Sequence, residues 1–155
     1  MNFKDCIKFA NETPLCYLAT VGGDQPIVRP LGLWFADDSG FYFQIGSAKD
    51  MYGQLQANNK VEGCFFQLGV AAAHHEYGKK PLENVSPMLR VAGEVEFLND
   101  LELKKKILED RPILKKQGMT FDDPRLIIFR IAKGEAYFWT RETSLEPKKF
   151  IKFGD

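Results

Sequence analysis

Two tight-turn signals set among short apolar runs constrain this chain more than any other feature. Gly22-Gly23-Asp24-Gln25 and Asp37-Asp38-Ser39-Gly40 have the composition of hairpin turns. Around them lie three strand-like runs, Leu15 to Val21, Ile27 to Phe35 and Phe41 to Ile45. Three strands joined this way form an antiparallel meander. Further on, Val61 to Leu68 reads as a strand. Leu89, Val91, Gly93, Val95 and Phe97 alternate with Arg90, Ala92, Glu94 and Glu96, the pattern of a half-buried strand. Leu126 to Ile131 and Glu135 to Thr140 read as two last strands joined around Lys133-Gly134. Strands and helices do not alternate one for one, which disfavours a parallel doubly wound sheet. A barrel suits many short strands because closure removes exposed edges.

Three helices punctuate the strands. Phe3, Cys6, Ile7 and Ala10 form one apolar face, closed by Pro14. Ser47-Ala48-Lys49-Asp50 has the form of a capped helix start, with Ser47 as the cap, Met51 and Leu55 as a short apolar edge and Asn58-Asn59 as the stop. Asn99 or Asp100 caps a helix that runs to about Asp110 and ends at Arg111-Pro112. Gly69 to Pro87 shows no period and reads as a long loop. No structure is expected after Arg141.

The 155 residues suit one domain, 1–155, with a real core. Lysine plus arginine and aspartate plus glutamate both count 21, so the basic excess of a nucleic-acid binder is missing. No apolar run is long enough for a membrane helix, and the N-terminus lacks a secretory h-region. Three cysteines without a C-x-x-C pair point to a reduced cytoplasmic setting rather than a zinc or disulfide framework. Aromatic residues reach 13%, which a β-rich core explains first and a stacked planar ligand second. Trp34 and Trp139 are packing residues first on the same grounds.

Two places invite a ligand. In strict alternation Arg29 shares a face with Ile27, Leu31, Leu33 and Phe35, where a guanidinium is costly without an acceptor. Either a bulge at Pro30 or Gly32 turns it outward, or an ordinary salt bridge meets it, or an anionic ligand does. The second place is Gly46 to Lys49, where a strand meets a helix start. Free amides, the Ser47 hydroxyl and the Lys49 charge suit a phosphate, although a plain cap and a solvated lysine explain them as well. Arg29 on a neighbouring strand strengthens the phosphate reading.

Other chemistry finds little. His74 and His75 are adjacent and poorly placed to share a metal, and no third ligand follows at a recognisable spacing, so no metal site is expected. One of them as a proton donor in a substrate cavity is an open alternative. No nucleophile motif, dinucleotide fingerprint or P-loop is present, and no catalytic residue is assigned.

Taken together, CYLATVGGDQPIVRPLGLWF, FYFQIGSAKDMYGQLQANNKVEGCFF, LRVAGEVEFL and LIIFRIAKGEAYFW resemble the pyridoxamine 5′-phosphate oxidase-like, FMN-binding split-barrel superfamily. The closer similarity is to its nitroimidazole-reductase-like branch. The resemblance implies a mainly β fold, an antiparallel split barrel of six or seven strands with flanking helices. It implies a homodimer with FMN at the subunit interface. Arg29, Ser47 and Lys49 would hold the phosphate. Arg29, Pro30 and Leu31, with Gln44 and Ile45, would border the isoalloxazine. Gln67 and Trp139 would add contacts. The implied activity passes electrons from NADH or NADPH to a small organic acceptor, such as a nitroaromatic. A non-enzymatic flavin- or haem-binding protein is the alternative. Two departures stand out: Ala48 replaces an arginine common in such proteins, and the closing Arg-x-His of true pyridoxamine-phosphate oxidases is missing.

Overall fold

The computed structural model describes residues 1–68 and 85–155. The helices are α1 (Phe3–Glu12), α2 (Asp50–Ala57), α3 (Leu101–Asp110) and the short α4 (Pro112–Lys116). The strands are β1 (Leu15–Gly22), β2 (Gln25–Gly32), β3 (Phe35–Asp37), β4 (Gly40–Gly46), β5 (Lys60–Phe65), β6 (Met88–Phe97), β7 (Leu126–Trp139) and β8 (Ile151–Phe153). All pairings are antiparallel, in the order β2-β1-β5-β6-β7-β4-β3, with β8 added beside β7.

The two ends of that order, β2 and β3, are consecutive in the chain and separated only by Leu33 and Trp34. The sheet must therefore curl until its ends meet, yet no ladder joins them. This is a split barrel. The joint is tied to both sides: Leu33 N–H donates to Pro14 O at 2.8 Å, and Trp34 N–H donates to Tyr42 O at 2.9 Å. The run expected as one strand, Ile27 to Phe35, is thus two. A strand on one edge cannot continue onto the opposite edge without leaving its first ladder.

The last strands show the reverse. Residues 126–131 and 135–140 are not two strands but the single bent β7. Ala132 is an extra residue in its pairing with β6, a bulge that bends the strand without ending it. Gly134 faces Gly93 at the bend, and a Cβ there would lie 2.0 Å from Ala92 O. Lys133-Gly134 therefore marks a close approach of two backbones rather than a turn. The tail also departs from expectation. Residues 151–153 form β8, and buried Phe153 stacks on Phe3 at 4.8 Å. With β8 the sheet has eight strands among the described residues.

Helix α1 forms along the expected apolar face, and Asn2 and Asp5 start it with a capping box. Asp100 caps α3 by accepting from Leu103 N–H at 3.0 Å. Helix α2 corrects the reading of Ser47. Ser47 N–H donates to Arg125 O, and Lys49 N–H donates to Gly46 O. These bonds make residues 46–49 a turn, so the helix begins at Asp50 with Lys49 as a cap residue that makes no side-chain bond. The strand after α2 ends at Phe65 rather than Leu68.

Phe41, Phe43, Phe65 and Phe129 fill the barrel interior with Leu18, Leu89 and Val91. A second cluster, Ile107, Leu108, Leu114, Leu126 and Ile128, fixes α3 and α4 to β7. Burial pushes the Cys6 thiol to about 11 and the Cys16 thiol to about 12, so both are neutral packing residues. The expected loop Gly69 to Pro87, with His74 and His75, lies outside the described residues except for 85–87. No described helix is long and apolar enough to cross a membrane.

Candidate functional site

Strand β2, the end of β4, the start of α2 and α4 enclose an open hollow of about 800 Å³. Arg29, Pro30, Leu31, Gln44, Ile45 and Lys49 all line it. Ser47 lines a neighbouring hollow of about 600 Å³, and Lys49, Asp50 and Gln54 border both. Gln67 is exposed just past β5, and Trp139 lies at the far end of β7. Neither lines the Arg29 hollow.

Arg29 keeps the inward phase of β2, so no bulge turns it out. Its Nη1 donates to Thr20 Oγ1 at 2.8 Å and, more weakly, to Leu18 O and Ile27 O. Its Nη2 donates to Gln54 Oε1 at 2.7 Å. All these acceptors are neutral, and no described carboxylate pairs with it. Burial lowers its pKa, and Asp50 opposes that shift. Its Nε–H and second Nη2–H meet no acceptor among the described residues, leaving donors for an anion.

Lys49 is exposed and has no ion-pair partner among the described residues. Asp50 follows it in the first turn of α2, where a carboxylate suits the helix dipole. The local charge is two cations against one carboxylate. That balance fits an anion, though less strongly than the cations alone would.

At the other end of the hollow, Arg111 Nη1 reaches Gln44 Oε1 and its Nη2 reaches Gly32 O, both at 3.4 Å. Burial lowers the pKa of Arg111, with Asp110 opposing. Asp110 in turn accepts from Trp34 Nε1–H at 2.9 Å. The corner between α3 and α4 thus grips the β2–β3 joint, and Ile113, Leu114 and Met119 give that end of the hollow an apolar wall. One end offers Arg29 and Lys49, and the other an apolar wall with Arg111 beside it.

Thr20, Asp50, Gln54 and Arg111 were not anticipated. Thr20 had a legible signal: it is a hydroxyl on the inward phase of a strand whose neighbours in phase are Cys16 and Leu18, and it is only 2% exposed. Asp50 and Gln54 are four apart on one helix, hence on one face. Nothing in the sequence marked Arg111 as more than a helix end.

The outer face of the sheet carries a second feature. Paired across neighbouring strands are Pro30, Tyr17, Cys64, Arg90 and Tyr137, with Leu15, Val28, Met88 and Trp139 in adjoining positions. Most are apolar, and Val28 is 66% exposed. Arg90 pairs with Glu62 there, and its buried Nε has no hydrogen-bond partner among the described residues.

A family profile for pyridoxamine 5′-phosphate oxidase matches residues 4–138. The chain belongs to this family. A NimC/NimA family protein from Clostridium acetobutylicum is 26% identical, with a TM-score of 0.72 over 97% of this chain and 92% of that one. General stress protein 26 from Bacillus anthracis is 17% identical, with a TM-score of 0.68 over 99% and 100%. HutZ, the haem storage protein from Vibrio cholerae, is also 17% identical, with a TM-score of 0.61 over 99% and 98%. No curated protein matches the chain. The likeness to the NimC/NimA protein agrees with the branch suggested by the sequence motifs, and the two weaker likenesses bear on the fold alone.

Proposed function

We propose that this protein binds FMN and passes electrons from a reduced nicotinamide to a small organic acceptor, with a nitroaromatic as one candidate. The observation that carries the reading is the meeting of Arg29, Gln44, Ile45 and Lys49 on one hollow with a cationic and an apolar end. Flavin binding is common in the family. Arg29 and Lys49 hold the phosphate, with the Ser47 hydroxyl beside them. Pro30, Leu31, Gln44 and Ile45 border the ring, and the wall from α4 keeps water from it. FMN, when bound, supplies hydride and electron transfer, so the protein's part is to bind, orient and exclude water.

The protein acts as a homodimer in this reading. A second copy covers the outer apolar face, gives the orphaned Arg90 Nε an acceptor and brings its Trp139 and Gln67 towards the neighbouring FMN. That would account for neither residue lining the Arg29 hollow within one chain.

Titration with FMN, followed by flavin absorbance and fluorescence, tests the proposal. Micromolar binding is expected, weakened by about a hundredfold in Arg29→Ala plus Lys49→Ala, as loss of two charge-assisted contacts implies. A protein that stays colourless with FMN overturns the reading. A Soret band on haem addition instead would favour the haem alternative, and bound flavin that neither NADH nor NADPH reduces would favour a carrier.

A further inference from the structure

The chain of bonds from Arg29 through Thr20 to Gln54 has only one possible polarity. An arginine donates and never accepts. The Gln54 atom 2.7 Å from Arg29 Nη2 is therefore the amide oxygen. The same oxygen lies 2.6 Å from Thr20 Oγ1 and can only accept, so Thr20 directs its single proton there. The Thr20 lone pair then accepts from Arg29 Nη1 at 2.8 Å. Thr20 is 2% exposed, so water has little access to rearrange these bonds. Flipping the amide would set its nitrogen against donors on both sides and leave a buried network unsatisfied.

With Oε1 held by two donors, the Gln54 Nε2 hydrogens meet no acceptor among the described residues. Gln54 borders both hollows, beside Lys49 and Asp50. Its amide thus keeps a pair of free N–H donors where the two hollows meet beside Lys49, and unlike a third cation it brings no net charge.

We infer that Gln54 is a further anion-binding residue whose Nε2 donates to a phosphomonoester, and that Thr20 is the positioning residue that fixes its amide. The inference rests on the reading of this hollow as the FMN site. It makes the contact selective for an acceptor-rich group over a hydroxyl terminus. A phosphate oxygen only accepts, whereas an amide turned the other way would offer it a lone pair.

Riboflavin separates the two claims, since it has the ring and ribityl chain of FMN without the phosphate. Affinities for both flavins are measured by fluorescence quenching on the full chain, with thermal midpoints alongside. Gln54→Met is expected to weaken FMN about tenfold and riboflavin by less than about twofold. Thr20→Val, close in shape, is expected to weaken FMN by a smaller factor with the same selectivity. Gln54→Glu sets a carboxylate near the phosphate and is expected to weaken FMN more than Gln54→Met does. It also replaces Gln54→Met in the comparison if that variant melts below the assay temperature. Equal losses for both flavins, or none, overturn the role of Gln54 and leave the FMN reading standing. Wild-type protein that binds FMN no more tightly than riboflavin overturns the phosphate end of the hollow and this inference with it.

Discussion

Arg29 shows what a single residue reveals in advance. Its place in the alternation of β2 marked a guanidinium on an apolar face, and that placement holds. Its partners did not follow from the pattern, because Thr20 comes from the adjacent strand and Gln54 from a helix 25 residues further along. Ser47 shows the opposite case. Its local motif read as a helix cap, but the turn closed by Lys49 N–H on Gly46 O moves the helix start to Asp50 and leaves Ser47 outside it. Asp50 carries a prediction at this scale. It borders the same hollow as Arg29 and Lys49, so Asp50→Asn removes a repulsive charge from the anion site. FMN affinity is expected to rise about threefold at low salt, with riboflavin affinity unchanged and the gain shrinking at high salt. Parallel flavin titrations at the two salt levels check this; a gain shared by riboflavin would place Asp50 away from the phosphate.

At the scale of elements, the helices and strands with strong periodicity were legible: α1, the β1–β2 hairpin, β6 and α3. The errors fall where geometry between strands decides. β7 looked like two strands because Lys133-Gly134 resembles a turn, yet the glycine serves a close approach to Ala92 and Gly93. Gly134→Ala would force its Cβ to within 2.0 Å of a backbone oxygen that no side-chain motion can relieve. The expected cost is about 2–3 kcal/mol, comparable to overpacking a dense core. Urea denaturation measures it, and a loss below ~0.5 kcal/mol would mean that the bend is not held as tightly as this geometry implies. The grip of α3 on the β2–β3 joint was equally hidden. Asp110 and Trp34 meet 76 residues apart, and Lys106 lies 4.7 Å from the centre of the Phe35 ring.

For the whole molecule, the outer sheet face matters most. Its apolar rows emerge only when five strands are set in register, because no single strand displays more than a few of those residues. Tyr17 lies within it, between Pro30 and Cys64. Tyr17→Glu would place a charge where the proposed second copy packs. The expected outcome is a monomer in light scattering and weakened FMN binding, since the site would lose the residues contributed across the interface. A variant that remains dimeric, or a wild-type monomer that binds FMN fully, would mean that the site is complete within one chain.

The sequence by itself determined an antiparallel, mainly β chain, the hairpins that shape its first half, and six residues that share the hollow. Turn chemistry and period-2 alternation are local and depend on neighbours in the chain. Only the tertiary structure decided where the barrel splits, how far β7 runs and which groups meet Arg29. Each of these depends on distant backbones competing for the same hydrogen bonds, and that competition has no local signature. The segment Gly46 to Lys49 lies between the two cases. Its cation and its pairing with Arg29 were legible in the sequence, whereas its turn reads there as a helix start and Gln54 joins only in the hollow that folding creates.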